Sequence, residues 1–246
     1  MSRLDRHLAE TGLARSRTHA AELIREGRVL LNGTACTKPS RPVGPADAVS
    51  LDHTVGSEYV SRAGRKLAGA LACFPDVAVR AKRCLDAGAS TGGFTQVLLE
   101  AGAAQVVAVD VGHGQLAAQI RADPRVSVYE GMNVRHLIPE AVGGPVQLVV
   151  GDLSFISLTL VMGPLAAVVV PGGELILMVK PQFEVGRAQL GRDGVVTDPD
   201  ARRRAVETVK ESARNQGLEI LGEAPSSLAG QEGNVEHFLH LQRPHR

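Results

Sequence analysis

The sequence predicts an α/β protein in which a doubly wound parallel sheet, covered by helices, follows a small α+β module. Hydrophobic residues make up 44% of the 246 residues, but aromatic residues make up only 3% and tryptophan is absent. Aliphatic side chains must therefore fill the core, as they do in parallel sheets that are buried on both faces. From residue 84 onward, short apolar runs alternate with segments of helical periodicity, which is typical of the doubly wound class.

Residues 1–58 are predicted to form the small module. Helical periodicity predicts one helix over residues 3–11 and a second helix that is capped by Ser16. Short strands around an Asn-Gly hairpin turn are predicted at residues 29–31, 35–37 and 48–51. Because a stretch rich in proline then breaks the pattern, the boundary is placed here, and residues 59–246 are predicted to form the large domain.

The charge of the chain is concentrated at its N-terminal end. Residues 1–66 hold eleven Lys and Arg against seven Asp and Glu, whereas residues 67–246 hold sixteen against nineteen. A basic N-terminal segment followed by a nearly neutral remainder of the chain suggests contact with a polyanion. The plainer alternative is a charged face that is simply solvated.

The run RLDRHLAETGLARSRTHAAELIREGRVLLNG resembles the S4 RNA-binding domain. This resemblance implies RNA as a partner. Few aromatic side chains are available to stack on single strands, and no recognition helix for DNA stands out, so structured RNA rather than DNA is predicted. The side chains expected to contact its phosphates are Arg3, Arg6, Arg15, Arg17, Arg25, Arg28 and Lys38.

The large domain is predicted to begin with a helix over residues 61–71. Strands are predicted at residues 84–89, 105–109, 126–129, 146–150 and 174–179. Further helices are predicted from Phe94 and at residues 114–122, 157–169 and 199–216. In such a sheet, ligands bind outside the carboxyl ends of the strands.

The loop after the first of these strands reads DAGASTGGF and has the character of a cofactor loop. Its glycines let the backbone approach a ligand, and Asp110, after the second strand, can accept both ribose hydroxyls of an adenosine. That arrangement suits NAD and S-adenosylmethionine alike, but the GxGxxG pattern of a dinucleotide site is missing. Asp86 would repel a pyrophosphate and attract an ammonium group, so S-adenosylmethionine is favoured. A glycine turn without a ligand would leave both acids unexplained.

Ionisable side chains are assigned to three further strand ends, namely Asp152, Lys180 and Glu236. A lysine at such a place is costly unless it is paired, so Lys180 is expected to lie between the two carboxylates. Lys66, from the first helix of the domain, would be a second cation. Such a set suits methyl transfer to a sugar hydroxyl, with a desolvated lysine as base. Taken singly, each residue is as readily explained as a surface lysine or an acid at a sheet edge.

The motifs CLDAGASTGGF, AVDVGHGQL, DPRV, NVRHL, DLSFISL, VKPQFEVGR, GGVVTDP and GNVEHF, in this order, resemble the TlyA family, which joins an S4-like domain to an FtsJ-type methyltransferase. The resemblance implies S-adenosylmethionine-dependent methylation of the 2′-hydroxyl of cytidine, with ribosomal RNA or a ribosomal subunit as partner. It places the tetrad of FtsJ-type enzymes on Lys66, Asp152, Lys180 and Glu236, with Lys180 as base. The implied cofactor residues are Gly88, Ser90, Thr91, Gly92, Phe94, Asp110, Asn133 and Asp152, beside the Asp86 already noted.

Two other classes of function stay open. One is an inactive RNA-binding or ribosome-assembly factor, which the intact tetrad and loop disfavour. The other is membrane lysis, because relatives have been called haemolysins, yet the longest apolar stretch, residues 158–170, is too short to span a membrane. A cytoplasmic protein is expected, and since the three cysteines lack paired spacing, no metal site is expected either.

Overall fold

A computed structural model describes residues 2–14, 16–25, 27–51, 59–186, 190–191, 193–230 and 232–245. The chain divides into two compact units, residues 1–58 and residues 59–246, each with a hydrophobic core of its own. Arg15, one of the side chains expected to contact RNA, lies outside the described residues.

The N-terminal unit packs two helices beside short strands. Its elements are β1 (Ser2–Arg3), α1 (Leu4–Glu10), α2 (Arg17–Arg25), β2 (Val29–Leu31), β3 (Thr34–Ala35), β4 (Pro42–Val43) and β5 (Val49–Leu51). The helix side chains that are at most 4% exposed are Leu4, Leu8, Ala20, Leu23 and Ile24. The predicted cap also forms, because the backbone N–H of His19 donates to Ser16 Oγ. The pair β1–β4 has no counterpart in the sequence prediction, since two-residue strands carry no periodicity.

The large unit alternates strands and helices, which confirms the predicted α/β class. Its elements are α3 (Arg62–Cys73), β6 (Arg83–Ala87), α4 (Gly93–Glu100), β7 (Gln105–Asp110), α5 (Ala118–Arg121), β8 (Val126–Glu130), β9 (Val146–Gly151), α6 (Met162–Val168), β10 (Val169–Val179), α7 (Pro181–Glu184), α8 (Pro199–Asn215), β11 (Glu219–Pro225) and β12 (His237–Gln242). Alternate strand residues go to opposite faces of the sheet, so Val149 packs in the cluster with α6 and α8, while Leu148 and Val150 pack in the cluster with α3 and α4.

The seven strands of the large unit are ordered β11-β12-β10-β9-β6-β7-β8. Strands β10, β9, β6, β7 and β8 are parallel, whereas β12 runs antiparallel to both of its neighbours. The strand order reverses between β6 and β9, and a doubly wound sheet opens a crevice at that point, outside the carboxyl ends of the strands.

Two predicted helices are shorter than their periodicity indicates. The helix predicted at 114–122 is reduced to α5, because the residues before it bind strand-end carboxylates: Gly112 N–H donates to Asp110 Oδ1 and Gly114 N–H donates to Glu130. The helix predicted at 157–169 divides into a 3₁₀ turn over 158–160 and α6. No helix in the described parts of the chain is long and apolar enough to cross a membrane.

Candidate active site

The sheet brings the carboxyl ends of β6, β7, β9 and β10 to one edge. The start of β12 lies at the same edge, because β12 is antiparallel to β10 and pairs His237 with Val179. Glu236 therefore comes directly before a strand, and its assignment to the residue after a strand is wrong. The antiparallel direction of β12 still delivers it to the edge that carries Lys180 and Asp152.

The loop between β6 and α4 is shaped by glycines that no other residue replaces without strain. Gly88 and Gly92 have φ of +85° and +95°. A Cβ atom on Gly88 would lie only 2.9 Å from the backbone oxygen of Asp152. At Gly88 the loop therefore packs directly against the backbone that follows β9, which leaves no room for a side chain. Ser90, at the tip of this loop, is exposed.

Asp110 stands at the end of β7, and the backbone fixes its orientation. Its Oδ2 accepts a hydrogen bond of 2.7 Å from Ser90 N–H, and its Oδ1 accepts one of 2.7 Å from Gly112 N–H. A shallow, open pocket adjoins it, lined by Ser90, Asp110, Gln115, Leu116, Val128 and Glu130. Apolar walls beside an oriented carboxylate suit a nucleoside, whose base is flat and whose ribose hydroxyls donate hydrogen bonds.

Asp86 has no solvent-exposed surface, because it lies beneath the loop. Thr95 Oγ1 donates to its Oδ2 over 2.7 Å, while Oδ1 has no hydrogen-bond partner among the described residues. Burial, reinforced by the carboxylates of Asp152 and Asp110, raises the pKa of Asp86 to about 7, although the Thr95 hydrogen bond acts in the opposite direction. Direct contact with an ammonium group would require the loop to move.

Three other residues that the family resemblance assigns to the cofactor lie in different surroundings. Thr91 is part of the loop, and its carbonyl accepts a hydrogen bond from Ala117 N–H. Phe94 is only 2% exposed and stacks on Phe238 in the core, so its side chain supports the loop from below. Asn133 is exposed after β8, and its side-chain oxygen caps a 3₁₀ turn by accepting from Arg135 N–H.

The four tetrad residues form two lysine–carboxylate pairs. Lys66 Nζ lies 2.5 Å from Glu236 Oε2, and the two residues are 5% and 3% exposed. Lys180 Nζ lies 2.5 Å from Asp152 Oδ1 and donates a hydrogen bond of 2.7 Å to Ser154 Oγ. The approach to Asp152 is a close charge contact that lacks the alignment of a hydrogen bond. A buried lysine is costly unless a carboxylate compensates its charge, and each of these two lysines has such a partner.

This pairing corrects the expectation that Lys180 lies between two carboxylates. In the described ranges, the ion pairs of the tetrad join Lys180 to Asp152 and Glu236 to Lys66. Helix α3 brings Lys66 to the start of β12, a position that periodicity in the sequence does not reveal. The carboxylate of Glu236 is also closely packed, because a Cβ on Gly230 would lie 2.8 Å from its Oε1.

An exposed aromatic side chain stands beside the second pair and was missed from sequence. Phe155 is 92% exposed and has a φ of +63°, in the left-handed region. Its ring centroid lies 5.3 Å from that of Phe183. Each phenylalanine follows its ionisable residue, Asp152 or Lys180, by three positions, and this repeated spacing is the signal that could have identified them.

Three of the cations expected to contact RNA are held on the surface of the N-terminal unit by acids. Arg3 and Arg17 both pair with Asp5 over 3.1 Å, and Arg6 pairs with Glu10 over 2.7 Å. Burial alone would raise the pKa of Asp5, but the hydrogen bonds from Arg3, Arg17 and a backbone amide outweigh it and lower that pKa. The three arginine side chains are 54 to 64% exposed and can still reach a phosphate. The other described cations of this set, Arg25, Arg28 and Lys38, belong to the same unit.

Comparison with known proteins places this geometry in a family. Residues 59–243 match the FtsJ-like methyltransferase family and residues 2–49 match the S4 domain. The chain is 50% identical over 241 residues to the 16S/23S rRNA (cytidine-2'-O)-methyltransferase TlyA of Mycobacterium tuberculosis (strain CDC 1551 / Oshkosh), covering 98% of this chain and 90% of that protein. It is 34% identical to the 23S rRNA (cytidine-2'-O)-methyltransferase TlyA of Campylobacter jejuni subsp. jejuni, covering 92% and 93%. A solved structure of a hemolysin-named protein from Streptococcus thermophilus is 37% identical, with a TM-score of 0.79 and coverage of 99% and 88%.

No group of three or more His, Cys, Asp or Glu able to hold a metal ion occurs in the described residues.

The family match covers the whole sheet, its crevice and all four tetrad residues. The chain therefore belongs to the FtsJ-like methyltransferase family and, with its N-terminal S4 domain, to the TlyA branch of that family.

Proposed function

We propose that this protein transfers a methyl group from S-adenosylmethionine to the ribose 2′-hydroxyl of a cytidine in ribosomal RNA. The observation that carries the proposal is the pair of buried lysine–carboxylate contacts, Lys66–Glu236 and Lys180–Asp152, beside a glycine-lined crevice. The relatives named as rRNA (cytidine-2'-O)-methyltransferases support the choice of substrate.

The residues present fit S-adenosylmethionine. Asp110 is oriented by two backbone amides toward the pocket and can accept the ribose hydroxyls, while Leu116 and Val128 offer apolar walls to the adenine. When bound, S-adenosylmethionine supplies a methyl group on a positively charged sulfur.

The tetrad supplies a base and the means to position the nucleophile. We assign Lys180 Nζ to accept the proton of the ribose 2′-hydroxyl once its ammonium has released a proton to solvent. The hydroxyl oxygen can then bond to the methyl carbon as the bond from that carbon to sulfur breaks. Asp152 and Ser154 hold that amine in place from two sides. The Lys66–Glu236 pair forms a second wall, which can orient the ribose while keeping both charges compensated.

Two features are proposed to select RNA. The arginines of the N-terminal unit supply a basic surface for phosphates, and the S4 domain match supports RNA as the ligand. The exposed ring of Phe155 offers a face on which an unstacked base can lie beside the reacting ribose. A base that leaves its helix exposes the sugar to the tetrad.

The proposal is tested by transfer of labelled methyl from S-adenosylmethionine to purified ribosomal RNA and to separated subunits. Mapping of 2′-O-methyl positions is expected to place the label on cytidine ribose. Lys180→Ala is expected to reduce the rate by about 10² to 10⁴, because it removes the base while leaving the crevice intact. Calorimetric titration with S-adenosylmethionine, performed in parallel, shows whether the variant still binds cofactor.

Other outcomes point elsewhere. Label on a base nitrogen or carbon would contradict the ribose as acceptor. Cofactor binding without label on any RNA or subunit would favour an RNA-binding factor with an inactive site. Full activity of Lys180→Ala would remove this residue from the role of base, although the ribose could remain the acceptor.

A further inference from the structure

Two loops carry the proposed chemistry, and they are joined side by side. Loop A comprises residues 152–158 after β9, and loop B comprises Lys180 and the four-residue helix α7 after β10. They are linked by the contacts of Lys180 with Asp152 and Ser154, and by the Phe155–Phe183 ring pair. Glu184 supplies a third link at the far end of both loops.

Glu184 uses both carboxylate oxygens to hold loop A. Its Oε2 accepts a hydrogen bond of 2.5 Å from Ser157 Oγ, and its Oε1 accepts one of 2.9 Å from Leu158 N–H. Burial raises the pKa of Glu184, even though both hydrogen bonds act to lower it. Within the described ranges, no charged side chain contributes to this shift. An ionised carboxylate in such surroundings lowers the stability of the folded chain. We therefore expect the residue to have a function.

The middle of loop A needs support at both ends. Phe155 has a left-handed φ of +63°, which a bulky residue adopts only when its surroundings enforce it. The ring is also 92% exposed, so burial does not hold it in place. One end of the loop is held where Asp152 N–H donates to Ala87 O and its carboxylate meets Lys180. The other end is held by Glu184.

We propose that Glu184 is a positioning residue that fixes loop A, so that Phe155 and Asp152 face the target nucleotide in one geometry. This inference rests on the proposed function for its substrate. Glu184 acts on the RNA side of the site, because its hydrogen bonds reach only loop A and not the pocket beside Asp110. Its loss should therefore slow methyl transfer without weakening the binding of S-adenosylmethionine.

The test compares Glu184→Ala, Glu184→Gln and Ser157→Ala in single-turnover methylation with saturating cofactor and varied RNA. Glu184→Ala is expected to lower the rate constant by about tenfold to a hundredfold, as displaced reacting groups do. Glu184→Gln should recover part of the rate, because an amide oxygen can still accept from Leu158 N–H. Ser157→Ala also removes the cap on Thr159 N–H, but its effect and that of Glu184→Ala should be less than additive, since both remove the hydrogen bond between Ser157 and Glu184.

The matched control is Glu174→Ala. Glu174 is a similarly buried carboxylate on β10 that pairs with Lys82 over 2.7 Å and contacts His240. It lies in the middle of β10, six residues before Lys180, so its loss should reduce thermal stability and leave the methylation rate of the folded enzyme unchanged. A wild-type rate for Glu184→Ala would overturn the proposal. A loss of S-adenosylmethionine affinity in that variant as large as its loss of methylation rate would overturn it as well.

A second readout does not depend on activity. Because the chain contains no tryptophan, Phe155→Trp introduces a single indole that reports on loop A. Adding Glu184→Ala is expected to lower the fluorescence anisotropy of that indole, whereas adding Glu174→Ala is not. Unchanged anisotropy would refute the positioning role, even if the wild-type enzyme proved inactive on ribose. Failure of the proposed function and failure of this inference are thereby separated.

Discussion

Replacing Asp86 with asparagine tests whether this buried carboxylate holds its proton near neutral pH. In the folded chain the pKa of Asp86 is raised from 3.8 to about 7, chiefly by burial. The folded chain therefore keeps a proton over a range of pH in which the unfolded chain has already lost it. Wild-type stability should fall as pH rises through this range and level off above about pH 7, because the folded state then bears the cost of a buried charge.

The magnitude follows from the shift. A rise of about three pKa units corresponds to about 4 kcal/mol, of which about 3 kcal/mol falls between pH 5 and pH 8. Asparagine removes this pH-dependent cost. It also places an amide N–H₂ where Asp86 Oδ1 has no partner, which costs about 1 to 3 kcal/mol at every pH. Relative to the wild type, Asp86→Asn should therefore gain about 3 kcal/mol in stability between pH 5 and pH 8.

The assay is urea unfolding of both proteins without cofactor at several values of pH. A useful control is Asp198→Asn, because the backbone amide of Asp200 lowers the pKa of Asp198, and its contribution is lost as pH falls. Between pH 5 and pH 8 the profile of Asp198→Asn should therefore run parallel to that of the wild type, because the contribution of Asp198 changes only in more acid solution. Parallel profiles for the wild type and Asp86→Asn would refute the reasoning, since they would mean that Asp86 ionises in its ordinary range.

Three further substitutions have defined outcomes. Gly230→Ala should displace the carboxylate of Glu236, which lies 2.8 Å from the new methyl group, and so reduce methylation about tenfold or more. The control in the same assay is Gly186→Ala, whose methyl group meets no atom of the described residues within 4 Å. Phe155→Ala should weaken RNA-dependent turnover by about 1 to 3 kcal/mol of lost stacking without changing stability, and a wild-type rate would remove the base-stacking role. Arg17→Ala should weaken RNA binding and reduce the salt dependence of that binding, measured by filter retention at two salt concentrations, whereas an unchanged salt slope would exclude a phosphate contact.

Periodicity and strand-end chemistry predicted most of the fold. The alternation of short aliphatic runs with helical segments defined the α/β class, and local spacing also predicted the two helices of the N-terminal unit, α1 and α2. The helix expected at 114–122 was overestimated. The amide of Gly114, at its predicted start, donates instead to Glu130 at the end of β8, and local periodicity carries no information about a partner on another strand.

The residue types of the site were readable from the sequence, and the roles assigned to them remain predictions. Lys66, Asp152, Lys180 and Glu236 were recognisable as ionisable groups in motifs, because charged residues beside apolar strands are rare and costly. Which lysine meets which carboxylate depended on the antiparallel direction of β12 and on the placement of α3.

By itself, the sequence determined the doubly wound class, the glycine-rich loop and the set of ionisable residues, since each depends on local spacing and residue chemistry. Only the tertiary structure decided the two ion pairs, the burial of Asp86, the exposed ring of Phe155 and the link from Glu184 to loop A. The physical reason is that these features join residues distant in the chain. Their pairing is set by strand order and direction, which the packing of the whole sheet determines.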